Sequence, residues 1–275
     1  MKPPKPISTK SKKKPAELAL IAVVISWIFL LILMPLYGIA KEVFHNGLHA
    51  CFASLNEPAA VHAFYLTLWL TVGAVAVNTT LGIILALVLV RQEFKGKLLL
   101  DGLIDLPFAV SPVVAGFMLI TLFGPHGWIG SLFEARDIKI IYAFPGMMIA
   151  TLFVTFPFVV REVVPVLREF GVDQEEAAFV LGASKWQTFW QVTLPSIKWG
   201  LIYGVTLTMA RSIGEFGAVL VVSGAIINKT QSATLYVHQK FTDFDYGGAF
   251  AASIVLAMLS FFTLIGMQYI QKKKV

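Results

Sequence analysis

Two ionisable residues, Arg211 and Glu215, lie inside a long apolar stretch of this chain. Charged groups are rare in such stretches and usually face a bundle interior or a water-filled path. At the helical period of 100° per residue, they share one stripe with small and hydroxyl residues: Gly200, Gly204, Thr208 and Ala218. The opposite face, predicted to meet lipid, carries only apolar residues: Ile202, Met209, Ile213 and Leu220.

The Arg211 and Glu215 pattern supports two interpretations, and the residues alone leave both open. In the first, the two side chains form an intrahelical ion pair that locks a helix bundle. In the second, they form a gate or transit site for an anion, since a guanidinium presents several donors to oxygens. Small residues let a neighbouring helix approach closely. The stripe, Thr208 included, therefore predicts a helix–helix seam or the wall of a pore.

A polar insert precedes this stretch and has no purpose in a protein built only of membrane spans. It begins at Glu176-Ala177-Ala178, continues after three intervening residues with Gly182, and ends after nine more residues at Val192-Thr193-Leu194-Pro195. Asp173 with Glu176, and Ser184 with Gln187, have the spacing of capping boxes. Gly182 provides a left-handed end to the first helix, and Pro195 is placed just beyond the second. The pattern predicts a helix–turn–helix.

The side chains of this insert suit contact with another protein. Ala177 and Ala178 are small enough for a partner to approach the backbone closely, and Trp186, Phe189 and Trp190 form a large aromatic group. We therefore interpret the insert as a docking element.

Composition places the rest of the chain in a membrane. Of the 275 residues, 57% are hydrophobic and 14% charged, with a mean hydropathy of +0.77. Soluble domains carry about 25% charged residues. Six apolar stretches approach or exceed the roughly 20 residues that span a bilayer. They are Leu18–Ile39, Ala63–Val90, Leu103–Phe123, Ile138–Val160, Gly200–Ile227 and Ala249–Ile270.

The distribution of Lys and Arg predicts the orientation of these stretches, because cytoplasmic loops carry the excess of both. An even number of spans puts both ends of the chain on one side. That side holds sixteen of the 22 basic residues: Lys2, Lys5, Lys10, Lys12, Lys13, Lys14, Arg91, Lys95, Lys97, Arg161, Arg168, Lys185, Lys198, Lys272, Lys273 and Lys274. The other side holds five: Lys41, Arg136, Lys139, Lys229 and Lys240. We expect both termini and the insert to be cytoplasmic. The net charge of +6 then reflects topology, and no nucleic-acid partner is expected.

No pattern in the chain indicates catalysis. Gly96-Lys97 is followed by Leu98 and lacks the upstream glycine of a phosphate loop. His45 and His49 lie near Cys51, but no fourth ligand follows, so a plain surface location is favoured over a metal site. The N-terminal apolar run is too long for a signal-peptide core and is expected to be retained. The chain is predicted to be non-catalytic, to hold no metal or cofactor, and to draw its energy from a partner docked at the insert.

Two softer features concern the second and third spans. Pro107 and Pro112 are predicted to break the third span, where freed backbone carbonyls can line a cavity, although a simple kink fits equally well. Asn78, Thr79 and Thr80 are predicted to hydrogen-bond between helices rather than to bind a ligand.

Together these sequences resemble the sulfate/thiosulfate permeases of ATP-binding-cassette (ABC) importers, and their CysW-type subunit in particular. The insert is similar to the EAA loop through which such permeases contact their ATPase, with Val192 where Ile is usual. The other matching stretches are Leu106–Gly116, Phe153–Glu162 and Ala210–Ala218.

The resemblance implies an all-α integral membrane protein of six transmembrane helices with a cytoplasmic coupling loop, the type I importer architecture. Its expected parts are a basic tail (1–17), a permease domain (18–270, with the loop at about 161–197) and a second tail (271–275). It would lie in the bacterial inner membrane and move sulfate and thiosulfate.

The expected partners are a T-type permease that completes a heterodimer, two copies of a cytoplasmic ATPase that bind ATP and Mg, an external sulfate-binding protein and lipid. The coupling positions carried over are Glu176, Ala177, Ala178, Gly182, Leu194 and Pro195. Arg211, Gly214 and Glu215 carry over as family-typical positions without a settled role. Three other functions stay open: a molybdate or tungstate permease, a secondary anion transporter or channel, and the membrane anchor of a redox complex, which the lack of paired His disfavours.

Overall fold

The computed structural model describes residues 15–45, 48–134 and 136–272. The two predicted tails lie largely outside these residues. The described part is helical, with fourteen α-helices and no strand. In chain order they are α1 Pro15–Ile28, α2 Met34–His45, α3 Leu48–Leu55, α4 Pro58–Arg91, α5 Lys97–Ala109, α6 Pro112–Phe123, α7 Gly130–Glu134, α8 Phe144–Phe170, α9 Asp173–Val180, α10 Lys185–Thr188, α11 Leu194–Ile213, α12 Gly217–Ser223, α13 Ala233–Thr242 and α14 Tyr246–Lys272. Short π-helical turns, Phe29–Leu33 and Phe189–Thr193, join α1 to α2 and α10 to α11.

The described part of the chain contains up to six candidate membrane spans, of which four are unbroken helices. The unbroken ones are Glu17–Phe44, Pro58–Arg91, Phe144–Phe170 and Tyr246–Tyr269. The other two are bent pairs, α5 with α6 at 114° and Lys185–Ile213 with α12 at 53°. When each pair is counted as one span, the predicted six-span all-α fold is confirmed.

The third predicted span, Leu103–Phe123, is broken, as predicted from its two prolines. α5 ends at Ala109, Val110 and Ser111 are extended (ψ 131° and 136°), and α6 begins at Pro112. The ring of Pro112 disfavours a helical conformation at Ser111 and fits the first position of a new helix. Pro107 stays inside α5. Of the two predicted helix breakers, Pro112 is therefore the effective one, and the bend is far larger than a kink.

The fourth predicted span is displaced along the chain. Ile138–Val160 was expected, whereas α8 runs from Phe144 to Phe170. Arg161 does not end the helix because Asp101 and Asp105 on α5 satisfy it, at 2.8 and 2.6 Å. The polar insert therefore begins at Gly171, about ten residues later than the predicted boundary.

The centre of the bundle is formed by α4, α8 and α11, and the small stripe of α11 lies in it. A Cβ on Gly204 would stand 2.8 Å from the Cα of Val159, and one on Gly200 would stand 2.6 Å from the carbonyl oxygen of Glu162. Contacts this close to backbone leave room for glycine only. The predicted helix–helix seam is therefore confirmed for this part of α11.

Polar contacts between α4 and α8 match the sequence only in part. Asn78 Nδ2 donates to the Thr155 hydroxyl at 2.8 Å and to the Leu152 carbonyl at 3.2 Å, as predicted for an interhelical residue. Thr80 instead donates to Ala76 O of its own helix. The interhelical prediction is therefore confirmed for Asn78 and wrong for Thr80.

Candidate docking loop and broken span

The polar insert folds as the predicted helix–turn–helix, residues 171–193, which we call the docking loop. Its first helix, α9, ends in a turn in which Gly182 has φ +91°, the predicted left-handed conformation. Asp173 does not cap this helix: Val172 occupies the N-cap position, and Asp173 lies in the first turn with Glu175 and Glu176. Carboxylates in a first turn still favour the helix dipole. The predicted Asp173 capping box is therefore wrong.

The second capping box is confirmed. The Gln187 backbone N–H donates to Ser184 Oγ at 3.3 Å, and the Ser184 N–H donates to Gln187 Oε1 at 2.8 Å. These reciprocal bonds fix the start of α10 immediately after the Gly182 turn. The second helix of the docking loop thus has a defined origin.

The sequence predicts that the second helix ends just before Pro195, and this prediction is wrong. Helical structure continues from Lys185 to Ile213, with the π-helical turn Phe189–Thr193 just before Pro195. A proline has no backbone N–H to donate to the preceding helical turn, and its ring clashes with a carbonyl of that turn. The wider π turn accommodates both effects. Leu194 and Pro195 therefore lie where the docking loop passes directly into the fifth span.

The exposed tip of the docking loop is apolar. Val180 and Leu181 are 87% and 88% exposed, and Glu176 and Ala177 on the same helix are exposed, while Ala178 is half-buried. Val180 and Leu181 are not among the docking residues predicted from the sequence. The available signal was a pair of aliphatic residues directly before the turn glycine of an otherwise polar insert.

The aromatic residues of α10 and of the π-helical turn that follows it pack on one another and border α4. The Trp186 and Trp190 rings meet edge to face at 5.5 Å, and Phe189 contacts both. A groove of about 450 Å³ lies between these rings and the side of α4 at Ile83 and Leu87. Trp186 and Trp190 nevertheless remain more than half exposed. They present an aromatic surface where the docking loop meets the bundle.

Arg211 and Glu215 form an ion pair across the break in the fifth span. Arg211 Nη1 lies 2.7 Å from Glu215 Oε2, and the side chains are 33% and 1% exposed. The pair does not share one helical face, because α11 ends at Ile213 and Glu215 lies in the break before α12. Glu215 Oε1 accepts a hydrogen bond from Ala218 N at 3.0 Å. The carboxylate therefore neutralises Arg211 and caps the helix that follows.

The surroundings of this break are buried and close to the other broken span. Ile213, predicted to face lipid, is buried instead. A Cβ on Gly217 would meet the Pro112 ring at 2.9 Å, so the start of α12 lies against the start of α6. Gly214 is exposed and Thr208 fully buried. The two helix breaks thus meet at one place in the bundle.

Comparisons with known proteins agree with this architecture. Residues 78–275 match the model of a family described as "binding-protein-dependent transport system inner membrane component". The chain is 46% identical to the sulfate transport system permease protein CysW of Synechocystis sp., over 92% of each chain. It is 37% identical to the CysT permease of Escherichia coli K12, over 90% of this chain and 89% of that one.

The fold is also found among solved structures. A bacterial ABC transporter involved in the import of alginate superposes with a TM-score of 0.77, covering 94% of this chain and 95% of that one, at 17% identity. At such low identity the likeness concerns the fold alone. Because the family model covers most of the chain and both relatives are more than 30% identical, this protein belongs to the binding-protein-dependent transport system inner membrane components.

Proposed function

We propose that this chain is a permease subunit of an ATP-driven sulfate importer. The observation that carries the proposal is the 46% identity to a sulfate permease over 92% of both chains, docking loop and both broken spans included. The lower identity to the T-type permease, 37%, supports a W-type role beside a T-type partner. The chain itself is a non-catalytic membrane subunit. ATP and Mg would be bound by two copies of a separate cytoplasmic ATPase.

The docking loop would receive the motion of that ATPase. Its exposed tip at Val180 and Leu181, beside the small Ala177, offers an apolar surface for a groove on the partner. Glu176 stands exposed on the same helix. Gly182 sets the turn, while Leu194 and Pro195 carry the movement directly into the fifth span because the helix is continuous there. Trp186 and Trp190 would contact the ATPase at the edge of this surface.

Arg211 would serve the anion path. Its partner Glu215 is buried and held by the Ala218 N–H, whereas a third of the Arg211 side chain remains exposed at the break. A guanidinium can bind oxyanion oxygens through several donors while one edge stays paired. Thr208 and Gly214 lie within one turn of it along the chain. Sulfate, and thiosulfate by the same chemistry, would pass this point between the two permeases.

The proposal is tested by uptake into vesicles that contain both permeases, the ATPase and the external binding protein. We expect uptake of labelled sulfate that needs ATP and the binding protein and is reduced by unlabelled thiosulfate. Uptake of molybdate but not of sulfate would replace the proposed substrate, and sulfate uptake without ATP would indicate a secondary transporter.

The role of Arg211 is tested in the same vesicles, with uptake normalised to assembled complex. Arg211→Ala should assemble and lose most sulfate uptake. Arg136→Ala is the matched control, because Arg136 is an exposed arginine in the connection between α7 and α8. Unaltered uptake per assembled complex in Arg211→Ala would end the transit-site proposal and leave the importer assignment intact.

A further inference from the structure

Helix α4 is the longest unbroken helix in residues 15–45, 48–134 and 136–272. Its 34 residues run from Pro58 to Arg91, about 51 Å at 1.5 Å per residue. The α5/α6 and α11/α12 spans beside it are interrupted. A break of this kind can absorb a displacement as a hinge, whereas a continuous helix moves as one piece. Motion applied to one end of α4 should therefore reach the other.

At its C-terminal end, α4 binds the docking loop through Arg91. Arg91 Nε lies 3.0 Å from Glu175 Oε2, and Arg91 Nη2 donates to Glu175 Oε1 at 3.2 Å and to the Gly171 carbonyl at 2.5 Å. The Thr193 hydroxyl donates to the same Glu175 oxygen at 2.7 Å. Both members of the ion pair are about 15% exposed, so water screens them little. A guanidinium bound to a carboxylate and a carbonyl at once fixes orientation as well as distance.

These contacts, which we call the α4 clasp (Arg91, Glu175 and Thr193), bind both arms of the docking loop. Glu175 lies in α9, and Thr193 is the last residue before α11. The chain itself already joins the loop to α8 and α11. The clasp adds α4 as a third connection, and a movement of the loop relative to α4 would have to break it.

Toward its other end, about 36 Å away along the helix axis, α4 holds the first turn of α13. The buried Thr67 hydroxyl accepts a hydrogen bond from Ala233 N at 2.8 Å and donates to Ala63 O. The next residue, Thr234, donates to the Glu215 carbonyl at 2.7 Å. The first turn of α13 therefore bridges α4 to the break that holds the Arg211–Glu215 pair.

We propose that α4 is a strut that couples the docking loop to the Arg211–Glu215 break, through the α4 clasp at one end and the Thr67–Ala233–Thr234–Glu215 contacts at the other. The inference rests on the proposed function, because it assumes that an ATPase moves the loop. Arg91, Glu175 and Thr67 are positioning residues that act through α4. A coupling claim of this kind needs a change at one site that is read out at the other.

The clasp is tested with Arg91→Gln in the full complex in vesicles. The variant should assemble, but stimulation of ATP hydrolysis by the sulfate-loaded binding protein should fall about fivefold or more. Arg91→Lys keeps the charge but cannot bind the Glu175 carboxylate and the Gly171 carbonyl at once, so it should retain only part of the stimulation. Arg91→Glu combined with Glu175→Arg should also recover part of the stimulation. The matched control is Lys97→Gln, six residues after Arg91, which breaks the ion pair between Lys97 and the exposed Glu93 and should change nothing.

The opposite end is tested with Thr67→Val, which keeps the shape of the side chain and removes the acceptor for Ala233 N. Thr80→Val is the matched control on the same helix, since Thr80 bonds only to a carbonyl of its own helix among the described residues. We expect Thr67→Val to lose stimulation as Arg91→Gln does, and Thr80→Val to keep it. Full stimulation in either Arg91→Gln or Thr67→Val would overturn the strut.

A second readout does not depend on sulfate. With Cys51 replaced, Gly214→Cys places a thiol at the exposed point of the break. Its labelling rate should change when ATP is added to the assembled complex, and Arg91→Gln should abolish that change. An ATP-dependent change that persists in Arg91→Gln would overturn the strut even if the complex imports sulfate. Failure of sulfate uptake by the unaltered complex would instead overturn the proposed function.

Discussion

The Glu215 carboxylate accepts a hydrogen bond from the backbone N–H of Ala218 at 3.0 Å, across the break between α11 and α12. Glu215 lies one residue before the N-cap position of α12, Phe216, and its carboxylate satisfies a backbone N–H in the first turn of that helix. The same carboxylate pairs with Arg211 at 2.7 Å. We therefore propose that the two interpretations apply to different members of the pair: the buried Glu215 locks the structure, and Arg211, which is one-third exposed, serves the anion path.

This division predicts unequal effects on assembly. Glu215→Ala removes the cap, worth about 1 kcal/mol, together with the partner of Arg211. Glu215→Gln keeps an oxygen for Ala218 N and loses only the charge. We expect the amount of assembled complex, measured by native gel, to decrease in the order unaltered, Glu215→Gln, Glu215→Ala. Adding Arg211→Ala should improve assembly of Glu215→Gln more than that of Glu215→Ala, and the reverse order would contradict the capping role.

Gly204→Ala is expected to damage the bundle. The new methyl group would lie 2.8 Å from the Val159 Cα on α8, a backbone atom that cannot turn aside. Overpacking of this kind costs about 1–3 kcal/mol. The measurement is the temperature at which purified complex loses its subunits. Gly102→Ala serves as the control, because a Cβ there meets nothing within 4 Å. An equal decrease of the dissociation temperature in both variants would show that close packing at Gly204 is not the cause.

Gly182→Asp separates backbone strain from docking. Gly182 has φ +91° and Gly96 has φ +98°, and a Cβ on either meets nothing within 4 Å. Both Asp substitutions should therefore carry a similar conformational cost, on the order of 1 kcal/mol. Only Gly182 lies in the docking loop, so only Gly182→Asp should reduce co-purification with the ATPase. Equal loss in Gly96→Asp would show that strain alone is responsible.

The predicted orientation can be tested with two exposed lysines. With Cys51 replaced, Lys185→Cys in the docking loop and Lys229→Cys between α12 and α13 should differ in labelling by an impermeant maleimide on intact cells. The excess of Lys and Arg on one side predicts labelling at Lys229→Cys only. Labelling at Lys185→Cys alone would show that the predicted orientation is reversed.

Asp245 offers a pH test outside the spans. A hydrogen bond from Gly248 N at 3.0 Å and the Lys240 ammonium at 2.9 Å hold the pKa of Asp245 below its usual range. A carboxyl with a lowered pKa in the folded state adds stability above its unfolded pKa, and that stability is lost as the pH falls through the folded pKa. Asp245→Asn keeps a cap for Gly248 and loses the charge. At pH 7 the Asp245→Asn complex should therefore dissociate at a lower temperature than the unaltered complex. The difference between the two dissociation temperatures should shrink below about pH 4.

Asp243→Asn is the control for this measurement, since Asp243 is exposed in the same turn. It should leave the dissociation temperature unchanged. A difference between Asp245→Asn and the unaltered complex that grows as the pH falls would contradict the sign of the expected effect.

Much of the fold follows from local rules that can be applied to the sequence. Apolar runs of bilayer length predict the spans because lipid tolerates few charges and demands internal backbone hydrogen bonds. The Ser184–Gln187 capping box forms as predicted because its two residues are only three positions apart. Gly182 is left-handed as predicted because that conformation depends mainly on the residue itself. The small stripe at Gly200 and Gly204 identified a close helix contact because only small residues permit one.

What the sequence left undetermined depends on partners distant along the chain. Arg161 continues α8 instead of ending it because acids on α5, 56 and 60 residues away, satisfy its charge. Arg91 looked like one more cytoplasmic cation, but it meets Glu175 84 residues later. Thr67 meets Ala233 at a separation of 166 residues. Such contacts are set by how the helices pack, which no period or cap encodes. The sequence by itself therefore determined the helices and the docking loop, whereas tertiary structure alone decided how α4 connects that loop to the broken span.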